Sequence, residues 1–285
     1  MGVIVLLLAL LIGIALGLIG GGGSILTVPV LVYVAGISPT LATAYSLFIV
    51  GTTSLVGAMN NMRKQLVHVP TAIVFSIPSF IAVYCVRKYA VPLIPDPVFM
   101  LGQFVVTKNI FIMVFFAVIM LIAAISMLYD GQNKENTCLP DRRAEFTSPI
   151  GMGVQPIQFN YPLIILEGLV IGALTGFVGA GGGFLIIPAL VMMAKLPMRL
   201  AIGTSLLIIA TKSLIGFIGD VQNLSHQIDW LLLLSFSSMA TVGIFLGGYF
   251  GRFVKASNLK KGFGWFVIVM AVYILTKELL HLNIK

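Results

Sequence analysis

Long apolar runs separated by short polar stretches set the pattern of this chain. Eight such runs can be marked, roughly 3–34, 40–60, 69–86, 104–129, 161–194, 198–219, 229–251 and 262–280. A helix needs about 20 apolar residues to cross a hydrocarbon layer about 30 Å thick, whereas a membrane barrel shows short alternating segments. The pattern therefore predicts an all-α polytopic membrane protein. Residues 130–160 are polar and aperiodic, as in Asp130-Gly-Gln-Asn-Lys-Glu, and read as a linker. Four segments lie on either side of it, giving a first half 1–129 and a second half 161–285. The third segment contains Pro70 and Pro78 and is expected to end at Arg87-Lys88. The fourth is expected to begin near Phe104, after the Pro-rich connector Val91–Pro97.

The first run is too long for one untilted crossing. It is interrupted at Gly17–Gly23, where seven residues hold five glycines. This predicts a helix ending near Gly20 and another beginning near Ser24. A matching stretch returns at Gly176–Pro188. A shift of 159 residues places Gly20 on Gly179, Gly22 on Gly181, Gly23 on Gly182 and Pro29 on Pro188, and 18 of 41 residues are identical between 17–57 and 176–216 without a gap. Shared apolar composition would not also align Ser46 with Ser205, Thr52 with Thr211 and Ser54 with Ser213, so the chain carries a duplication. Paired broken segments in matching halves are the sequence signature of a transporter binding site.

Only 9% of residues are charged, against about 25% in soluble domains. The net charge of +8 does not point to nucleic acid, because the basic residues lie singly or in pairs at the ends of apolar runs, where they meet lipid headgroups. If every segment crosses once, seven basic residues fall on one side and nine on the other, too even to set orientation. Segments that fold back would change that tally and could invert one repeat relative to the other. The N-terminus shows no basic region or cleavage signature of a signal peptide. The expected location is a cell membrane, crossed several times. Cys85 and Cys138 show no disulfide framework or metal spacing. The glycine spacings Gly13/Gly17, Gly172/Gly176 and Gly243/Gly247/Gly251 suit close helix packing.

The candidate chemistry is anion binding. A helix break inside hydrocarbon exposes backbone groups that only protein or a polar cavity can satisfy. A helix restarting after the glycines would aim free N–H groups and its positive dipole end into that space. The residues placed in such a site are Gly20, Gly21, Gly22, Gly23 and Ser24 in the first half and Gly179, Gly181, Gly182 and Gly183 in the second. Lys212 lies deep in its apolar segment, where a cation costs at least about 2.5–3.5 kcal/mol and normally faces a partner or a cavity. Snorkelling to one interface is its competing role. Ser205 shares its helical face, Ser46 and Thr53 occupy the equivalent face of the first half, and Thr204 adds a hydroxyl. Glu167 reads as the only acidic residue clearly inside a hydrophobic segment, either an interfacial carboxylate or a proton-coupling group. Asn60–His68 and Asp220–His226 fit pathway mouths or ordinary polar helix ends. The three histidines are dispersed, no nucleophile has a neighbouring base, and no Gly-Lys-Ser/Thr follows the glycines. Neither an enzyme nor a cofactor is expected.

The paired glycine breaks with Pro29 and Pro188, followed by Ala42-Thr-Ala-Tyr-Ser-Leu and Ala201-Ile-Gly-Thr-Ser-Leu, resemble the TauE/SafE sulfite exporter family over both halves. The resemblance implies a secondary transporter of sulfite, sulfonates or related anions that uses the proton gradient. Ser24 opposite Gly183 and Thr53 opposite Lys212 make the two half-sites unequal. The expected partners are thus a small anionic substrate, protons and the lipid bilayer. A passive anion channel using the same site is the alternative.

Overall fold

The computed structural model describes residues 3–101, 104–129, 161–179, 181–192, 196, 198–224, 228–251 and 256–283. The linker 130–160, with Cys138, and His226 lie outside the described residues. Helix α1 (Val3–Ile19) is followed by a 3-10 stretch, Gly21–Leu26, and a short α2 (Thr27–Tyr33). Next come α3 (Pro39–Arg63) and α4 (Val69–Cys85), the latter continued by a π turn, Val86–Ala90, into α5 (Val91–Leu93). Strands β1 (Phe99–Leu101) and β2 (Phe104–Val106) precede α6 (Lys108–Tyr129). The second half holds α7 (Tyr161–Val178), α8 (Gly183–Met192), α9 (Met198–Leu224), α10 (Trp230–Phe250) and α11 (Ala256–Asn283).

Among the described residues, four stretches are long and apolar enough to cross a membrane: Pro39–Arg63, Val69–Leu93, Arg199–Val221 and Trp230–Phe250. Shorter apolar helices are Ile4–Ile19, Gly21–Tyr33, Lys108–Ile122 and Ile165–Val178. Apolar side chains point outward from these helices, as Ile73, Ile77 and Ile81 do along one stripe of α4. Exposed apolar surface of that extent marks a membrane-facing surface.

Three expectations need correction. The α-helix of the first half restarts at Thr27 rather than near Ser24, because a 3-10 helix carries the chain through Leu26. Residues Phe104–Val106 form an antiparallel hairpin with Phe99–Leu101, Leu101 opposite Phe104, so the fourth helix begins at Lys108. Phe104, Val105 and Val106 in β2 and Phe99 in β1 are aromatic or β-branched, which favours a pleated surface. The third segment does not end at Arg87-Lys88. The π turn inserts an extra residue into the helix and carries it on to Leu93, burying Arg87.

Glycine contacts fix the direction in which neighbouring helices run. On α1 and α10, Gly13 abuts the Ala240 backbone, Gly17 that of Ile244, and Gly247 that of Ile14, so the two are parallel. On α4 and α7, Gly168 faces Phe75 and Pro78, Gly172 faces Ser79, and Gly176 faces Val83 and Val86, again parallel. Small residues at four-residue spacing allow this close approach. Helix α3 also runs parallel to α10, since the Tyr45 hydroxyl accepts the Asp229 N–H and Gly57 meets Ile244. Helix α4 runs parallel to α9, with His68 N–H donating to Thr204 Oγ1 and Val83 against Gly216. In contrast, α3 and α9 are antiparallel: Leu47 lies against Gly216, Gly51 against Leu214, and Gly57 against Leu206.

It follows that α1 and α3 point one way and α7 and α9 the other. Between α1 and α3, and between α7 and α9, the chain must therefore turn back. The glycines are where it does so. Gly23 lies against Ala15 and Leu16, and Gly182 lies against Thr175, contacts that a continuous helix with a 1.5 Å rise per residue cannot make.

Candidate functional site

Both turns depend on backbone that only glycine adopts without strain. Gly20 has φ +74°, and Gly179, Gly181 and Gly182 have φ +71°, +64° and +63°. The Gly179 N–H closes the last turn of α7 onto the Thr175 carbonyl at 2.9 Å, and the Gly182 carbonyl accepts the Leu185 and Ile186 N–H groups at the start of α8. Gly179, Gly181 and Gly182 thus lie in the break between α7 and α8. The two breaks touch: a Cβ on Gly21 would strike the Gly183 backbone, and one on Gly183 the Gly21 backbone, with Ile209 Cδ1 within 2.5 Å of the latter. Ile209 lies at the middle of the Arg199–Val221 span, which sets this contact near mid-span of α9.

The second break is where polar groups gather. Lys212, 0% exposed, brings Nζ within 2.9 Å of where a Gly182 Cβ would lie, and donates to Thr175 Oγ1 at 3.3 Å. Among the described residues no carboxylate comes within ion-pair distance of it. Lys212 therefore points inward and does not reach an interface, and its ammonium form there would demand a negative partner. Ser213 Oγ lies 3.3 Å from the Cβ position of Gly181 and has no hydrogen-bond partner.

Of the hydroxyls anticipated from the sequence, Ser46 and Thr53 are buried with unpartnered oxygens. Ser205 Oγ sits 3.3 Å from the Cβ position of Gly20 while donating to the Ile202 carbonyl. Ser24 donates to the Gly21 carbonyl inside the 3-10 stretch. Thr204 accepts the His68 N–H at 2.9 Å, so its oxygen is engaged at the start of α4. Glu167 is half-buried on α7, twelve residues before Gly179 and so about 18 Å away along the helix.

Sequence reasoning passed over Arg87. Its guanidinium is 1% exposed, and Nη1 donates to Asp220 Oδ2 at 3.0 Å and to Thr43 Oγ1 at 3.1 Å. Nη2 lies 2.5 Å from where a Gly179 Cβ would be. The signal was in the residues beyond it: Tyr89-Ala-Val-Pro-Leu-Ile94 continues the apolar run, so a helix through Arg87 was readable. Asp220 and Glu278 are acids buried within α9 and α11, so the expectation that Glu167 is the only acid inside an apolar segment is corrected. Glu278 accepts a hydrogen bond from the Tyr33 hydroxyl at 2.9 Å.

The sequence model of the family described as "Sulfite exporter TauE/SafE" matches residues 5–274, nearly the whole chain. The chain belongs to the TauE/SafE family. This TauE/SafE member is a membrane transporter by family, and its relatives carry matching descriptions. A "Probable membrane transporter protein" of Xylella fastidiosa strain 9a5c is 28% identical over 272 residues, covering 94% of this chain and 92% of the relative. The "Probable membrane transporter protein YunE" of Bacillus subtilis strain 168 is 25% identical over 270 residues, covering 90% and 91%. No solved structure matches this TauE/SafE member.

Proposed function

We propose that this protein is a secondary transporter of small sulfur-containing oxyanions of the sulfite and sulfonate class, exporting them at the expense of the proton gradient. The anion sits between the two glycine breaks near mid-span, held by Lys212 and by the unpartnered hydroxyls of Ser46, Thr53 and Ser213. One observation carries this reading. The Lys212 ammonium is fully buried in a membrane span, against Gly182, with a single hydroxyl as its partner. A small anion supplies the charge that the protein withholds.

The sequence duplication, together with antiparallel α3 and α9, supports two repeats of inverted topology, each with a first segment that folds back at its glycines. Alternating access follows if one repeat rocks against the other around the shared contact of the breaks. Gly20 to Ser24 belong to this site as backbone of the first turn, and Gly179 and Gly181 to Gly183 as backbone of the second. Glu167 remains a candidate for the coupling proton.

Flux in proteoliposomes tests the proposal. Sulfite should accumulate against its own electrochemical gradient when a pH gradient is imposed, and Lys212→Met should abolish that flux while leaving the protein folded. Flux that only ever runs down the sulfite gradient would replace the carrier with a passive channel. Wild-type transport rates in the Lys212→Met protein would remove the lysine from the site.

A further inference from the structure

Arg87 is held on one side only. Nη1 is occupied by Asp220 and Thr43, while Nε and Nη2 are buried and have no hydrogen-bond partner among the described residues. Those two nitrogens form one edge of the planar guanidinium, with parallel N–H groups spaced to meet two oxygens of a single oxyanion. Unsatisfied donors on a buried cation are costly, and two on one edge describe a vacant fork rather than a packing defect. The fork does not face plain helix surface. Nη2 lies against Gly179, at the α7 end of the break that meets Lys212 at its other end, and the missing side chain of Gly179 is what lets the guanidinium approach the break this closely.

Three features hold the fork in place. The π turn at Val86–Ala90 changes the phase of the helix so that Arg87 faces α9 while the neighbouring Lys88 stays outside, with Nζ 5.3 Å from the Tyr84 ring centroid and 5.6 Å from that of Tyr89. Inserted π turns of this kind recur at functional positions. Asp220 fixes the guanidinium by a 3.0 Å ion pair and leaves the opposite edge free. Gly219 lets α9 pass close to the Arg87 stem, its Cβ position being 3.3 Å from Arg87 Cβ.

We propose that the Nε/Nη2 edge of Arg87 is a second oxyanion ligand, gripping two oxygens of one sulfite or sulfonate beside Gly179, with Asp220 as its positioning residue. The proposal rests on the transport reading above and adds to it a geometric filter. Anions with paired oxygens satisfy the fork, and spherical anions do not.

The test uses the purified full-length protein in nanodiscs, with sulfite and methanesulfonate as titrants and chloride as the spherical control. Arg87→Lys keeps a cation able to pair with Asp220 but lacks the fork. It should weaken both oxyanions about 10- to 100-fold and leave chloride unchanged. Should that variant not fold, Arg87→Gln combined with Asp220→Asn removes both charges together and should show the same selective loss. Sulfite affinity within about twofold of wild type in either folded variant overturns the role of Arg87 and leaves the transport reading standing. Equal weakening of sulfite and chloride also overturns it, because the effect would then be one of charge alone. Failure of the wild-type protein to bind either oxyanion overturns both readings at once.

Discussion

A glycine can be required because of its own backbone or because of its neighbours, and the two cases have different costs. Gly36 has φ +70° with nothing near its Cβ position, so Gly36→Ala should cost about 1 kcal/mol, from the left-handed backbone alone. Gly182 has φ +63°, and its Cβ would strike Thr175 and approach Lys212 Nζ. Gly182→Ala should therefore cost about 1–3 kcal/mol for strain with a further loss from steric conflict. Thermal unfolding of the purified variants should separate them clearly, and comparable melting temperatures would show that the break can relax. Lys212 was legible in the sequence because a lone cation in an apolar run has few explanations. The burial of Arg87 was not: the apolar run beyond it let a helix pass through, but a basic pair beside a Pro-rich stretch has an ordinary explanation as a helix end. Only the π turn, a one-residue change of phase without a distinctive residue signature, separates the buried arginine from the exposed lysine beside it.

At the level of helices, the stripe Gly13 and Gly17 against Gly243 and Gly247 locks α1 to α10, since a Cβ at any of the four would meet opposing backbone. Gly17→Val or Gly243→Val should destabilise the protein by at least about 1–3 kcal/mol, as overpacking does, and should lower the yield of monodisperse protein on size exclusion. A variant eluting and melting as wild type would sink the packing role. Helix existence followed directly from the apolar runs, and the four-residue glycine spacing announced close packing. Partners and directions did not follow. That α1 lies on α10 and α7 on α4 depends on the chain folding back at the glycines, and the sequence marks where it bends without saying by how much. The β1–β2 hairpin was hidden because Phe104–Val106 is as apolar as the helix that follows it.

For the whole molecule, the antiparallel crossing of α3 and α9 is where the two halves would slide if access alternates. Gly216 and Leu47 face each other across it, the Cβ position of Gly216 lying 3.3 Å from Leu47 Cδ1. Cysteines at these two positions, joined by a short thiol cross-linker after replacement of the native Cys85 and Cys138, should stop sulfite flux while binding persists. Uninterrupted flux in the cross-linked protein would show that this crossing stays rigid during transport, and would move the search for relative motion to other contacts.

The meeting of Gly21 and Gly183 constrains how such a protein can change over generations. Each residue occupies the space that the other would need for a side chain, so neither stretch can take a larger residue there unless the other yields. On the proposed two-repeat reading, copies that would otherwise drift apart freely are tied at the centre, where the first drift allowed is a joint one, and divergence of substrate preference is left to the flanks, where the alignment sets Thr53 against Lys212.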